Sequence, residues 1–149
     1  MAPKFQVVGT NTSALFTLKI HRGEGMALLA MNWRSGKPPK DFVGFGIQYK
    51  EPGGDRFFDL KNRLGFARSD GSIDTTKLST MLSPIQKFRW VHFPRNANMT
   101  GDFVYRVTPC LMNAKGEVSY GEAQQAAGQP AHAADVEIGG YGITDGLVV

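Results

Sequence analysis

Apolar side chains recur along this chain with a period close to two rather than 3.6. Phe16, Leu18 and Ile20 alternate with Thr17 and Lys19, the pattern of a strand with one buried face. Two glycines in His21-Arg22-Gly23-Glu24-Gly25 suit a tight turn. Met26 to Trp33 then reads as a second strand, apolar enough for a core position, and Ser35-Gly36-Lys37-Pro38-Pro39 breaks it. Phe42 to Tyr49 is a third strand, with Val43, Phe45, Ile47 and Tyr49 on one face. After the turn Glu51 to Asp55, Phe57 to Leu60 reads as a short fourth strand.

Residues 61–83 are irregular, with room for one helical turn over Leu78 to Leu82. Alternation returns from Ile85 to Phe93, which places Phe88, Trp90 and His92 opposite Lys87, Arg89 and Val91. Asp102 to Leu111 is the clearest strand. Asn113-Ala114-Lys115-Gly116 is a hairpin turn, and Val118 to Gln125 returns as the last strand. Seven short strands with turn signals and no long amphipathic helix predict an all-β, seven-strand antiparallel sandwich. Trp33, Phe45, Ile47, Trp90, Tyr105 and Val107 are the expected core. The expected organisation is an N-terminal extension over 1–13, the sandwich over 14–127, and an Ala/Gly-rich tail over 128–149, either an edge strand or disordered.

Length changes this picture little: 149 residues suit one domain. The longest apolar run, Met26 to Met31, is far shorter than the roughly 20 residues of a spanning helix. No charged stretch leads into an apolar one at the N-terminus, so the expected location is the cytoplasm. Charge is distributed unevenly. All 17 Lys and Arg lie at or before Lys115, against eight acidic residues, a formal +9, while the remainder carries −5. The basic residues are scattered with no run longer than two, which reads as a solvated basic surface and predicts no specific nucleic-acid partner.

The order of landmarks resembles a fibronectin type III domain. Trp33 ends the second strand ahead of Pro38-Pro39. Gly44-Phe45-Gly46-Ile47-Gln48-Tyr49 matches the third strand, and Phe103-Val104-Tyr105-Arg106-Val107 followed by Asn113-Ala114-Lys115-Gly116 matches the sixth and its turn. Phe103 stands where such domains usually carry a corner tyrosine, so the corner hydrogen bond is absent or comes from Tyr105. A narrower likeness rests on Leu82-Ser83-Pro84-Ile85-Gln86-Lys87-Phe88-Arg89-Trp90-Val91-His92-Phe93-Pro94, with Met31-Asn32-Trp33-Arg34 and Tyr105-Arg106-Val107-Thr108-Pro109. These resemble the N-terminal region of bacterial phospholipase D-like proteins, in which a sandwich module precedes the catalytic domains. That family's catalysis uses His-x-Lys with an Asp four residues later. None of His21, His92 or His132 opens such a motif. The resemblance therefore implies a non-catalytic accessory module. The residues after Ala127 do not resemble the family's continuation, which implies a truncated or frame-shifted chain.

Other chemistry is sparse. The three histidines have no second ligand at i+2 or i+4, and the lone Cys110 has no neighbouring histidine in sequence. Asp70-Gly71-Ser72-Ile73-Asp74 has alternating oxygen ligands but no later bidentate Glu, so it reads as a turn. No cofactor is expected. Asn11-Thr12-Ser13 and Asn98-Met99-Thr100 match the glycosylation pattern, which without a secretory signal is read as chance.

The expected partner is a catalytic domain of the same or a neighbouring chain, with weak self-association when that partner is absent. The candidate docking surface is Phe57, Phe58, Leu60, Leu64, Phe66 and Leu78, too many apolar groups for a simple loop. The competing reading is that this segment closes its own sandwich. The alternative function is a carbohydrate- or anionic-surface-binding module that uses Trp90.

Overall fold

The computed structural model describes residues 6–23, 25–62, 70–72, 75–96, 99 and 101–128. Among them nine strands form two antiparallel sheets, with one 3-10 turn at Thr75–Lys77. The strands are β1 (Gln6–Val8), β2 (Phe16–Gly23), β3 (Met26–Trp33), β4 (Phe42–Lys50), β5 (Phe58–Asp59), β6 (Arg89–His92), β7 (Phe103–Met112), β8 (Val118–Tyr120) and β9 (Gln124–Gly128). One sheet runs β1-β2-β3-β6. The other runs β5-β4-β7, with β8 and β9 both on the outer side of β7.

The alternating pattern sets which side chains meet between the sheets. Phe16, Leu18, Ile20, Leu29 and Met31 come from the first sheet; Phe45, Ile47, Phe103, Tyr105 and Val107 come from the second, and all are buried in one cluster. Rings cross the gap: Phe16 lies 5.1 Å and Trp33 5.9 Å from Phe45 between centroids. Five of the six expected core residues are buried. Trp90 is half-buried against the cluster's edge.

The strands differ from expectation at three places, each for a local reason. Gln6–Val8, in the stretch read as an extension, pairs with His21 to Lys19 of β2. Val118 to Gln125 is split, because its partner strand carries Pro109. In an antiparallel strand the N–H and C=O of a residue point to the same neighbour. Pro109 accepts a bond from Gly121 N–H (2.9 Å) but has none to return, and the outer strand breaks there. The expected strand over Ile85 to Phe93 is regular only over Arg89–His92, while Ile85 makes an isolated bridge to Phe45. Gly44 permits that bridge. Its φ is +144°, and a Cβ there would lie 2.6 Å from the Ile85 carbonyl oxygen.

The irregular segment seals the outer side of β4. Thr80, fully buried, accepts a bond from Ile47 N–H (2.8 Å) and donates its hydroxyl to Ile47 O (2.9 Å). Leu60 N–H also bonds Ile47 O, and Thr80 N–H bonds Leu60 O. A second seam joins the two sheets. Gln124 of β9 accepts from Asn11 N–H (2.8 Å) and donates to the carbonyls of Asn11 (2.8 Å) and Phe16 (3.2 Å). Gly9 makes room for it, since a Cβ there would sit 2.5 Å from the Gln124 Oε1. Except for Gly128, the tail read from the sequence lies outside the described residues.

Candidate functional site

The two ends of this fold are chemically different, and the pairing fixes which residues lie at each. Lys50 pairs with Val104, which pairs with Ala127, while Tyr49 pairs with Phe58 and Tyr105. Gln6 pairs with His21, two residues short of the end of β2. The first and last described strands therefore both reach the end of the fold that carries Phe57 and Phe58. Trp33, Phe42 and Phe16 lie at the opposite end.

At the Phe57–Phe58 end, both rings are half-buried and each is met by cations. The Arg106 guanidinium carbon lies 3.9 Å and the Lys50 ammonium 5.4 Å from the Phe57 ring centroid. Arg56 lies 4.5 Å from the Phe58 centroid, and Tyr49 packs against that ring at 5.7 Å. Gln48 ties Arg106 to the strand edge: its Oε1 accepts from Arg106 Nε (3.0 Å) and its Nε2 donates to Asp59 (2.9 Å). Beside Phe58 the Glu51 to Arg56 turn and Met99 enclose a shallow pocket of about 390 Å³. Asn96 holds one wall by donating to Glu51 (2.8 Å).

Of the other docking candidates, Leu60 belongs to the core and Leu78 is half-buried where Asn62 N–H bonds its carbonyl. Leu64 and Phe66 lie outside the described residues. Thus Phe57 and Phe58 come together, while Leu60 is spent inside the fold.

His92, Tyr105 and Cys110 are buried. His92 is 8% exposed, and its Nδ1 shares a 2.8 Å hydrogen bond with the Tyr105 hydroxyl. The Tyr49 ring lies 4.7 Å from the imidazole. Burial pulls the imidazole down to about 4 and pushes the Tyr105 phenol well above its usual range. The hydroxyl placed by Tyr105 therefore bonds a side chain of β6. Burial raises the Cys110 thiol to about 11, so its thiolate is scarce at neutral pH. Burial, then Lys19, lowers His21. Asp70 accepts from the N–H and hydroxyl of Ser72 in a turn, and these bonds hold its carboxyl below the usual range. Ile73, Asp74 and His132 lie outside the described residues, among which no three His, Cys, Asp or Glu converge.

Trp90, the candidate binding ring, is half-buried, whereas Phe88 is 49% exposed. Period-two reasoning puts both on one face, and it does so correctly. It carries no information about where the opposite sheet ends, and Phe88 lies at that limit, 6.5 Å from Phe42 and 6.2 Å from Phe45. No family model, curated protein or solved structure matches the chain.

Proposed function

We propose that this chain is a non-catalytic, fibronectin type III-like sandwich module that packs against or orients catalytic domains, as the resemblance to the N-terminal region of phospholipase D-like phosphodiesterases implies. The pairing order supports the fold reading. With β1 set aside as an added edge strand, β2-β3-β6 faces β5-β4-β7 with β8 and β9 sharing one position. That is seven strand positions, three facing four, in the order expected of such a domain.

One observation carries the functional reading. The half-buried Phe57 and Phe58, with Arg56, Lys50 and Arg106 over their rings, occupy the end where β9 finishes. A domain that follows β9 would meet this surface first. Aromatic rings with arginines are the residue types that dominate protein interfaces. The partner is a catalytic domain of the same or a neighbouring chain.

The test looks for a His-x-Lys-x4-Asp phosphodiesterase region encoded downstream, in frame or shifted, and mixes it with the purified chain. Titration calorimetry should show a one-to-one complex that Arg56→Glu or Phe57→Ser weakens at least about tenfold, as loss of an interface anchor does, with the melting temperature unchanged for Arg56→Glu. Absence of a complex overturns the docking role. Hydrolysis of bis(4-nitrophenyl) phosphate by the chain alone overturns the non-catalytic one. Sedimentation velocity of the isolated chain should show weak, concentration-dependent self-association that the same variants abolish.

A further inference from the structure

The opposite end of the fold carries a different surface. Two pockets lie side by side there. One, of about 420 Å³, is walled by Leu15, Trp33, Lys37, Pro38 and Pro39. The other, of about 230 Å³, is walled by Phe42, Val43, Gln86, Lys87 and Phe88. Trp33 of the first and Phe42 of the second are in edge contact at 5.0 Å between centroids. The floor is aromatic and aliphatic, while the rim is cationic. The segments that build it, 34–43 and 86–88, hold Lys37, Lys40 and Lys87 against the single carboxylate Asp41, while Arg34 is turned onto the carbonyls of Ala14 (2.8 Å) and Asn11 (3.4 Å). The neighbouring hairpin adds Lys115 and Glu117, which offset each other.

Two features separate this surface from an ordinary frayed end. Phe88 stays 49% exposed beside a half-buried Phe42 and a fully buried Phe45. Trp33 is only 5% exposed, yet among the described residues its indole N–H has no hydrogen-bond acceptor. A buried donor without a partner is destabilising, and this one lies on a residue that lines a pocket.

We infer that this end binds an acidic polysaccharide, with successive sugar units in the two pockets. Sugar rings carry C–H faces of positive partial charge, which suit the negative faces of Phe42 and Phe88 and the aliphatic walls of Val43, Leu15, Pro38 and Pro39. The acidic groups meet Lys37 and Lys87 on the rim. A flat anionic membrane fits less well, because the rings line concave pockets instead of projecting. The end lies opposite β1 and β9, so a catalytic domain docked at Phe57 and Phe58 leaves it open.

The experiment titrates the full chain with polygalacturonate, following tryptophan fluorescence. Saturable binding is expected, weakened by added salt. Phe88→Ala should lower the affinity about tenfold or more. Lys87→Gln and Lys37→Gln should each weaken binding and reduce its salt dependence, while Lys19→Gln on the outer face of β2 changes neither. Melting curves that match the wild type keep the variants interpretable, and the two lysine variants carry the test if Phe88→Ala does not fold. No binding overturns the inference, as does binding indifferent to Phe88 and both lysines. Equal or tighter binding to polyphosphate, to a single-stranded oligonucleotide or to phosphatidylglycerol vesicles also overturns it. Failure here leaves the Phe57–Phe58 docking surface untouched, because that surface is read by a different titration.

Discussion

Acid should unfold this protein earlier than its carboxylates require, and His92 is the reason. The folded imidazole titrates at about 4 because burial disfavours its charged form. An unfolded histidine titrates near 6.5. The groups that face it are the Tyr105 hydroxyl at 2.8 Å and the Tyr49 ring at 4.7 Å, neither of which carries a negative charge to welcome the proton. Between these two values the unfolded chain binds a proton that the folded chain refuses. Stability is therefore complete above about pH 6.5 and is lost as pH falls toward 4. The full difference is about 3 kcal/mol, and roughly 2 kcal/mol of it is lost between pH 7.5 and 5, before most carboxylates titrate. Urea unfolding monitored by tryptophan fluorescence at a series of pH values measures this directly. His92→Gln keeps a polar partner for Tyr105 but cannot titrate, so its stability should be nearly flat over the same range. A residual slope in that variant is expected from His21, whose pKa is also lowered. Equal slopes for wild type and His92→Gln would refute the argument.

Four further outcomes follow from the core and its seams. Gln124→Ala removes three hydrogen bonds to backbone groups, a loss of about 3 kcal/mol at about 1 kcal/mol each, read by chemical denaturation. Gly9→Ala should be strongly destabilising in the wild type but far milder in the Gln124→Ala background, because the clashing amide is gone; a double-mutant cycle measures that coupling. Trp33→Ala empties a site shared with Phe16, Phe42 and Phe45 and should cost about 3–5 kcal/mol in the same assay. Cys110 should react with a thiol reagent only at the rate of unfolding, since it is buried and its thiol is raised to about 11; fast labelling in native buffer would contradict its placement.

The strands with long alternation were legible because burial on one face leaves a direct record in residue type. Met26–Trp33 has the same bounds in the sequence reading and in the fold, and the Phe103–Met112 strand differs by one residue at each end. β1 was not legible: three residues followed by Gly9-Thr10-Asn11 show no periodicity, and what holds them is pairing with β2. Fully buried Gln124 and Thr80 carry no apolar signal, since both are covered for their hydrogen bonds to backbone groups far away in sequence. The docking candidates were half legible. An excess of apolar groups was visible, but only the fold separates Leu60, which faces the core, from Phe57 and Phe58, which sit under Arg106 and Arg56. For the same reason the exposed ring at the far end is Phe88 and not Trp90.

The Gln124 seam also bears on how the chain reaches its fold. It joins residues 113 positions apart, and the groups it satisfies lie at the start of the first long strand. Contacts of such sequence separation form late, because the loop they close must lose its entropy before they contribute. During synthesis from the N-terminus, the backbone around Asn11 waits for nearly the whole domain before its partner exists. Until then Leu18 and Ile20 have no finished second sheet to cover them. A chain halted before residue 124 would leave the Phe103 to Val107 edge of β7 unpaired and be prone to pair with its neighbours. Pulse-labelling hydrogen exchange during refolding would show it: the Asn11 amide should gain protection in the slowest phase, after the amides shared by β4 and β7.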